Sequence, residues 1–385
     1  MSRYIVILGF FVLGYQGILF AIDKPVWSLD LSTLNVPPNW IWRSDISESR
    51  YSRISLQFSA ADEVIISWFR QNRQIELATK SSPEKAGSDF VSLFIDKTDG
   101  KLIKKSEWPV LGESGYLAQI GYGSRIQPLS SGVYAGIING HLQVLDSNLK
   151  MLSDRILDLP KGQYWAYELI TPRSGPFFIL KLGYTLYNSR IEVIDSRISK
   201  TVEQEDVTDL DVQDIWGDHI LGIQKQGPDN YILKEKRIGG PWEPFGIKVG
   251  QYSQVQYTTL GMAVTYQIPN TSEFRSYWFS INGGKRSEPV ILSKHEGIMR
   301  VMPARQASVI AMEYSKLSGL RLLLDKNPLH WIVVYDLVTQ KILLKTKAEE
   351  GILGCALSSD GRYLAVLTEK KVEMYAVPGK VAAGE

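Results

Sequence analysis

The sequence predicts an all-β fold in which small antiparallel sheets recur around a ring, and three observations predict it. Short apolar runs alternate with turns rich in Gly, Ser and Asp, and no stretch of 11 or more residues keeps a helical period. Two distant segments, ISLQFSAADEVIISWF at 54–69 and ALSSDGRYLAVLTEKKVEMYAV at 356–377, share one plan of strand, turn and strand. An apolar strand that ends on one marked position returns about every 47 residues. Composition agrees. Of 385 residues, 11% are aromatic, with 10 Trp and 19 Tyr suited to pleated surfaces, while 32 Gly and 17 Pro supply turns.

The chain opens on MSRYIVILGFFVLGYQGILFA, with Arg3 as its one charge, an apolar run from Tyr4 to Tyr15 and small or apolar residues to Ala21, before IDKPVW turns polar. A short basic region, an apolar region and a small residue, in that order, describe a secretory signal peptide cut after Ala21. An uncleaved anchor is the competing reading, because Tyr4 to Ala21 is 18 residues, the lower limit for crossing a bilayer. Residues 1–21 are therefore expected to be a targeting segment and 22–385 one domain, periplasmic or secreted, with no membrane span once the signal is removed. Cys355 is the only cysteine and lies in the apolar ILGCAL, which predicts a buried core residue and no intrachain disulfide. Export without bridges suits a bacterial envelope.

Next, PVWSLDLST, 25–33, alternates like a strand but has no sheet of its own nearby. LNVPPNWIWRSDISESRYSR, 34–53, reads as a crossing loop whose Trp40 and Trp42 pack on a face of the ring, and the polar QNRQIELATKSSPEKAGSD, 71–89, as a loop between strands. The recurring strand ends on Asp96 in SLFIDKTDGKLI, Asp146 in LQVLDSNLKML, Asp195 in IEVIDSRISKTV and Asp336 in IVVYDLVTQKIL. The first three are 50 and 49 residues apart and the fourth follows at 141, three times 47, so two copies are expected in between. Lys234 in NYILKEKRI and Ser280 in SYWFSINGGKRS take those places, and Ala376 in VEMYAVPGK takes the last. Seven anchors at a period of about 40–50 residues, with several short strands in each, predict a β-propeller of seven four-stranded antiparallel blades. An Asp at a strand end accepts hydrogen bonds from the turn that follows it, so the repeated Asp is read as structural.

ALSSDGRYLAV and VVYDLVTQKILL together resemble WD-repeat and WD-like propellers, sharply over 331–377, recognisably over 54–103 and only in architecture between. The family's Gly-His dipeptide does not recur from copy to copy, so the resemblance is to a divergent member. It implies that the ring closes through its N-terminus. The last copy has only three clear strands, and Pro25 to Thr33 is expected to supply its outer fourth.

Charge and motif exclude several functions. The formal charge is +2, or +1 without Arg3, and the basic residues are scattered in pairs such as Lys104-Lys105 and Lys370-Lys371, so nucleic acid is not an expected partner. No two of His141, His219, His295 and His330 lie close in sequence, and none is near Cys355, so no local zinc cluster is formed. GVYAGIINGH and IGYGSR lack phosphate-loop spacing, and there is no G-x-S-x-G elbow. Asp218 and His219 in WGDHI read as a turn before a strand, because adjacent strand residues face opposite sides. The acidic VEQEDVTDLDVQD, 202–214, reads as a solvated loop between blades, with an oxygen-rich calcium site as the alternative. Trp242 and Phe245 in GGPWEPF either face a ligand or seal the rim.

The expectation is an exported, monomeric, non-enzymatic binding or scaffolding propeller with a protein or small-molecule partner. No catalytic, metal or cofactor residue is assigned and no cofactor is expected. The alternative is a propeller hydrolase or lyase acting on a sugar or lactone, with side chains from several blades meeting at the axis.

Overall fold

The computed structural model describes residues 24–34, 54–59, 63–71, 88–110, 126–130, 133–138, 141–157, 166–172, 174–183, 188–228, 230–250, 253–258, 261–267, 273–282, 285–286, 290–296, 298–316, 329–348, 352–368 and 370–378. Among these there is no α-helix. A strand β1 (Trp27–Asp30) and a single 3₁₀ turn (Leu31–Leu34) come first. Blade 1 follows with β2 (Ile54–Phe58), β3 (Val64–Gln71), β4 (Ser88–Ile95) and β5 (Leu102–Val110). Blade 2 holds β6 (Gln127–Ser130), β7 (Val133–Ile138), β8 (His141–Leu145) and β9 (Met151–Ile156). Blade 3 holds β10 (Ala166–Ile170), β11 (Phe177–Gly183), β12 (Ser189–Asp195) and β13 (Lys200–Val207). Blade 4 holds β14 (Leu210–Trp216), β15 (His219–Lys225), β16 (Tyr231–Arg237) and β17 (Glu243–Val249).

In blade 5, β18 (Gln254–Thr258), β19 (Gly261–Gln267) and β20 (Glu273–Asn282) lead through the two-residue β21 (Lys285–Arg286) to β22 (Val290–Glu296), which pairs with β20. Blade 6 holds β23 (Ile298–Pro303), β24 (Val309–Lys316), β25 (Leu329–Asp336) and β26 (Lys341–Ala348). Blade 7 has β27 (Ile352–Leu357), β28 (Tyr363–Thr368) and β29 (Lys371–Ala376), and its fourth strand is β1. Every pairing is antiparallel, as expected for seven four-stranded blades. First strands of neighbouring blades touch one another, β27 with β2 and β14 with β18, so they surround the axis and the fourth strands form the rim.

A four-stranded sheet buries too little to stand alone, and the core is correspondingly divided. Seven apolar clusters lie one at each junction between neighbouring blades. Each blade contributes alternate side chains to the clusters on its two faces, as strand periodicity requires: Ile65 and Phe94 face blade 2, whereas Val64 and Ile66 face blade 7.

Closure follows the expected path. β1 pairs with β29, Trp27 opposite Met374 and Asp30 opposite Lys371. Trp27 also reaches the next blade, where its ring nitrogen donates to the Lys97 carbonyl at 2.8 Å. Gly100 in the same turn has φ +74°, and a Cβ there would stand 3.0 Å from the Trp27 ring, so both the backbone and the close approach call for glycine.

The likeness of the two ends extends to individual bonds. In blade 1, Ser59 N donates to the Glu63 carbonyl at 2.8 Å and Glu63 N returns to Ser59 Oγ at 3.0 Å. In blade 7, Ser358 N donates to the Tyr363 carbonyl at 2.9 Å and Tyr363 N returns to Ser358 Oγ at 3.0 Å. Asp96, Asp146, Asp195 and Asp336 each accept the backbone N–H two residues on, at 2.7 to 3.0 Å, which is the structural role expected of them.

Two anchors are displaced and one segment is corrected. Ala376 ends its strand, but Lys234 falls three residues before the end of β16 at Arg237, and Ser280 two before the end of β20 at Asn282. Neither strand has an Asp to mark its turn. β16 continues through the charged Lys236, which ion pairs bury, and β20 continues to pair with β21. The acidic stretch 202–214 is not a loop: it is most of β13 and most of β14, joined by Thr208 and Asp209, with Glu203 and Glu205 half-buried between exposed Val202, Gln204 and Asp206, and Asp211 and Asp214 buried. Trp40, Trp42, the signal segment and residues 72–87 lie outside the described residues.

Candidate interaction surface

The chemistry-bearing residues are dispersed around the ring. His141, on blade 2, sets Nδ1 3.0 Å from both Asp154 oxygens. His330, on blade 6, stands 3.4 Å from Glu313, which is fully buried. Cys355 is buried as expected, its Sγ 3.1 Å from Met302 Sδ and 3.6 Å from Glu313 Oε2 in the junction of blades 6 and 7. His295 belongs to β22 on blade 5. Among the described residues no group of three His, Cys, Asp or Glu is arranged to hold a metal ion.

The fullest polar relay joins blades 4 and 5. Tyr257 OH donates to Glu235 Oε1 at 2.6 Å, and His219 Nδ1 lies 3.0 Å from the same oxygen. Burial and the neighbouring Glu235 push the Tyr257 hydroxyl far up, so it stays a donor. Gly217 and Asp218 form the expected turn before β15, yet Asp218 also comes within 3.5 Å of His219 Nε2. Both imidazole nitrogens thus face carboxylates. Asp214, at the end of the acidic stretch, is buried and accepts Tyr257 N at 2.7 Å and Ile215 N at 2.9 Å.

Other charges tie neighbouring blades together. Lys236 is buried against Glu203 and, at 2.7 Å, Glu205, both from the acidic stretch. Burial alone would lower the Lys236 pKa, but the two carboxylates outweigh it and raise it. Trp242 closes this group by donating to Glu205 at 3.3 Å, and Phe245 packs in the cluster between blades 4 and 5, so both aromatics seal the rim. Deeper in, Lys181 bonds Asp211 across the junction of blades 3 and 4. Burial would lower its pKa too, and Asp211 and Glu168 raise it instead. Six first strands place one half-buried side chain between two buried ones: Gln57, Gln127, Gln213, Gln256, Met302 and Ala356. Gln57 donates to the Ile126 carbonyl of blade 2 and Gln213 to Asp211.

The exposed apolar side chains form a further feature. Turns between first and second strands, and between third and fourth, fall on one face, here called the lower face. The exposed large hydrophobics among the described residues are Val26, Leu102, Ile103, Met151, Leu152, Ile156, Ile198, Val202 and Val338. Val26 precedes β1, Ile198 and Val338 sit in turns, and Leu102, Ile103, Met151, Leu152 and Val202 begin fourth strands. All but Ile156, which ends β9, therefore stand at the lower edge of the rim. They occur on the consecutive blades 7, 1, 2 and 3, with Val338 on blade 6. Sequence pattern missed this surface because a fourth strand's apolar residues look like any others. The signal that could have shown it is the pairing of adjacent apolar residues, Leu102-Ile103 and Met151-Leu152, where alternation would allow one.

No protein-family model matches the sequence, and no curated protein is significantly similar to it. Solved structures do match in fold. The Pan2 WD40 domain of Neurospora crassa aligns with a TM-score of 0.52 at 10% identity, covering 94% of this chain and 98% of that one. The chain is a seven-bladed β-propeller, similar in fold to WD40 propellers. A chain of a mitotic checkpoint complex aligns with a TM-score of 0.52 at 10% identity over 93% of this propeller and 96% of that chain. Hydrazine synthase of Kuenenia stuttgartiensis aligns at 0.49 and 15% identity over 84% and 95%. At such identities the likeness is one of fold.

Proposed function

We propose that this propeller is an exported binding platform, a rigid ring that engages its partner through the lower edge of its rim. One observation carries the reading: among the described residues, eight of the nine exposed large hydrophobics stand at that edge. Single exposed apolar residues are ordinary, but adjacent pairs of them at the turns of neighbouring blades support a contact surface. The inter-blade ion pairs support rigidity, which lets turns far apart in sequence act as one surface. Export is supported by the basic, apolar and small residues of the first 21 positions. A hydrolase or lyase of the axial type has less behind it. The relay of Tyr257, Glu235 and His219 draws its His and Glu from second and third strands, away from the axis, and would need Asp218 to leave His219 Nε2 free.

The test is a photo-crosslinking residue placed at Leu152 and, separately, at Ile156 on the opposite edge of the same strand, in cells that express the full chain. Adducts at Leu152 and few at Ile156 are expected. Adducts equally frequent at both positions, or at neither, would overturn the reading.

A further inference from the structure

We propose that the partner at this edge is a lipid bilayer surface carrying anionic lipid, on which the ring rests with its lower face; this rests on the binding reading above. Three observations point to a membrane rather than a folded partner. The first is geometric. The exposed aliphatics are not one patch but stand at separate turns on five consecutive blades of seven, in pairs on blades 1, 2 and 3 and singly at Val338 on blade 6 and Val26 on blade 7. A plane that touches the turns of blades 6, 7, 1, 2 and 3 together must lie across the lower face. A bilayer offers that plane without a shape of its own.

The second is connectivity. The 18-residue apolar run ends at Ala21, and the chain enters β1 from the lower edge at Val26. Residues 22–26 span at most about 17 Å when extended. A run kept as an anchor would hold the lower edge within that distance of the bilayer, whereas a run cut away leaves this surface to bind through its own side chains.

The third is charge. Lys24, Lys101, Lys150, Arg197 and Lys200 are exposed among the aliphatics. The acids of the same turns are engaged locally: Asp96, Asp146 and Asp195 each accept an N–H of their own turn. Asp99 and Asp195 are also paired, with Lys101 and Arg197. Basic heads beside aliphatic side chains suit the headgroup region, where each finds its own solvent.

Flotation of the chain from residue 22 onward, which holds every strand of the ring, tests this on vesicles with about 30% phosphatidylglycerol in phosphatidylcholine. Binding is expected, with a loss of about tenfold when Leu102, Ile103, Met151 and Leu152 are all replaced by Ser and no change for Ile156→Ser. Should the fourfold variant fold poorly, an environment-sensitive dye on Met151→Cys is expected to shift to the blue on vesicles, and the same dye on Ile156→Cys is not. Cys355 is buried and does not compete for label. The inference is overturned if the unaltered ring stays unbound, or if the Ile156 variants behave like those at the lower edge. A ring that fails to float but still forms protein adducts at Leu152 would sink the membrane while leaving the binding reading in place.

Discussion

Two junctions of the ring are held by opposite means. Between blades 7 and 1 the contact is nearly all apolar: Leu56, Phe58, Val64, Ile66 and Trp68 meet Ala365, Leu367, Val372 and Met374, with Trp27 and Leu29 of the closing strand packed against them. Between blades 3 and 4 the apolar cluster is flanked by two ion-pair groups, Lys181 with Asp211 and Lys236 with Glu203 and Glu205. Continuous chain joins blades 3 and 4 through Thr208 and Asp209, so desolvating charges there costs little risk of opening. Blades 7 and 1 are joined through the four-residue β1, the place where the ring can come apart. Burying apolar surface stabilises such a seam outright, whereas a buried ion pair roughly cancels its own desolvation.

The contrast breaks most directly at Trp27. Trp27→Ala removes the packing on Gly100 and the bond to Lys97, and is expected to destabilise the ring by about 3 kcal/mol, read from the urea midpoint. A loss below about 1 kcal/mol would show that closure does not depend on this side chain.

At the charged junction, Lys236→Met leaves Glu203 and Glu205 facing each other with no cation. The expected loss is about 2 kcal/mol, since both acids keep some contact with water. Adding Glu203→Gln and Glu205→Gln is expected to recover most of it. If the triple variant stays as weak as the single one, the ion pair is a net source of stability and the contrast between the junctions fails.

The smallest effect concerns acid. Hydrogen bonds from Thr98 hold the Asp96 carboxyl below its ordinary range, and those from Arg197 do the same for Asp195. For Asp360, burial pushes the other way but is outweighed by Ser358 and Arg362. A carboxyl lowered in the folded state adds stability above its ordinary pKa of 3.8, and that stability is lost as pH falls through the lower folded value. Tm is therefore expected to fall more steeply between pH 4 and 2 than in the Asp96→Asn variant. Equal slopes would remove the Asp96 turn, which receives Trp27, from the acid response.

Strand order, blade number and the closing role of Pro25 to Thr33 were legible in the sequence because each depends on neighbours: alternation within a strand, an Asx turn at its end, and a last copy one strand short. Where the local mark was missing, as at Lys234 and Ser280, the strand ends were misplaced. What only the tertiary structure decided is burial between residues far apart in the chain. Lys236 is hidden because Glu203 and Glu205 come from the previous blade, and the acidic stretch reads as solvated until Arg190, Lys181 and Lys236 are placed against it. LQVLDSNLKML shows the same limit in a single hairpin: Leu142, Val144 and Leu145 are buried, while Met151 and Leu152 face solvent. Apolar residues of equal character separate into core and surface according to whether another blade stands beside them, and that is set by how the ring closes.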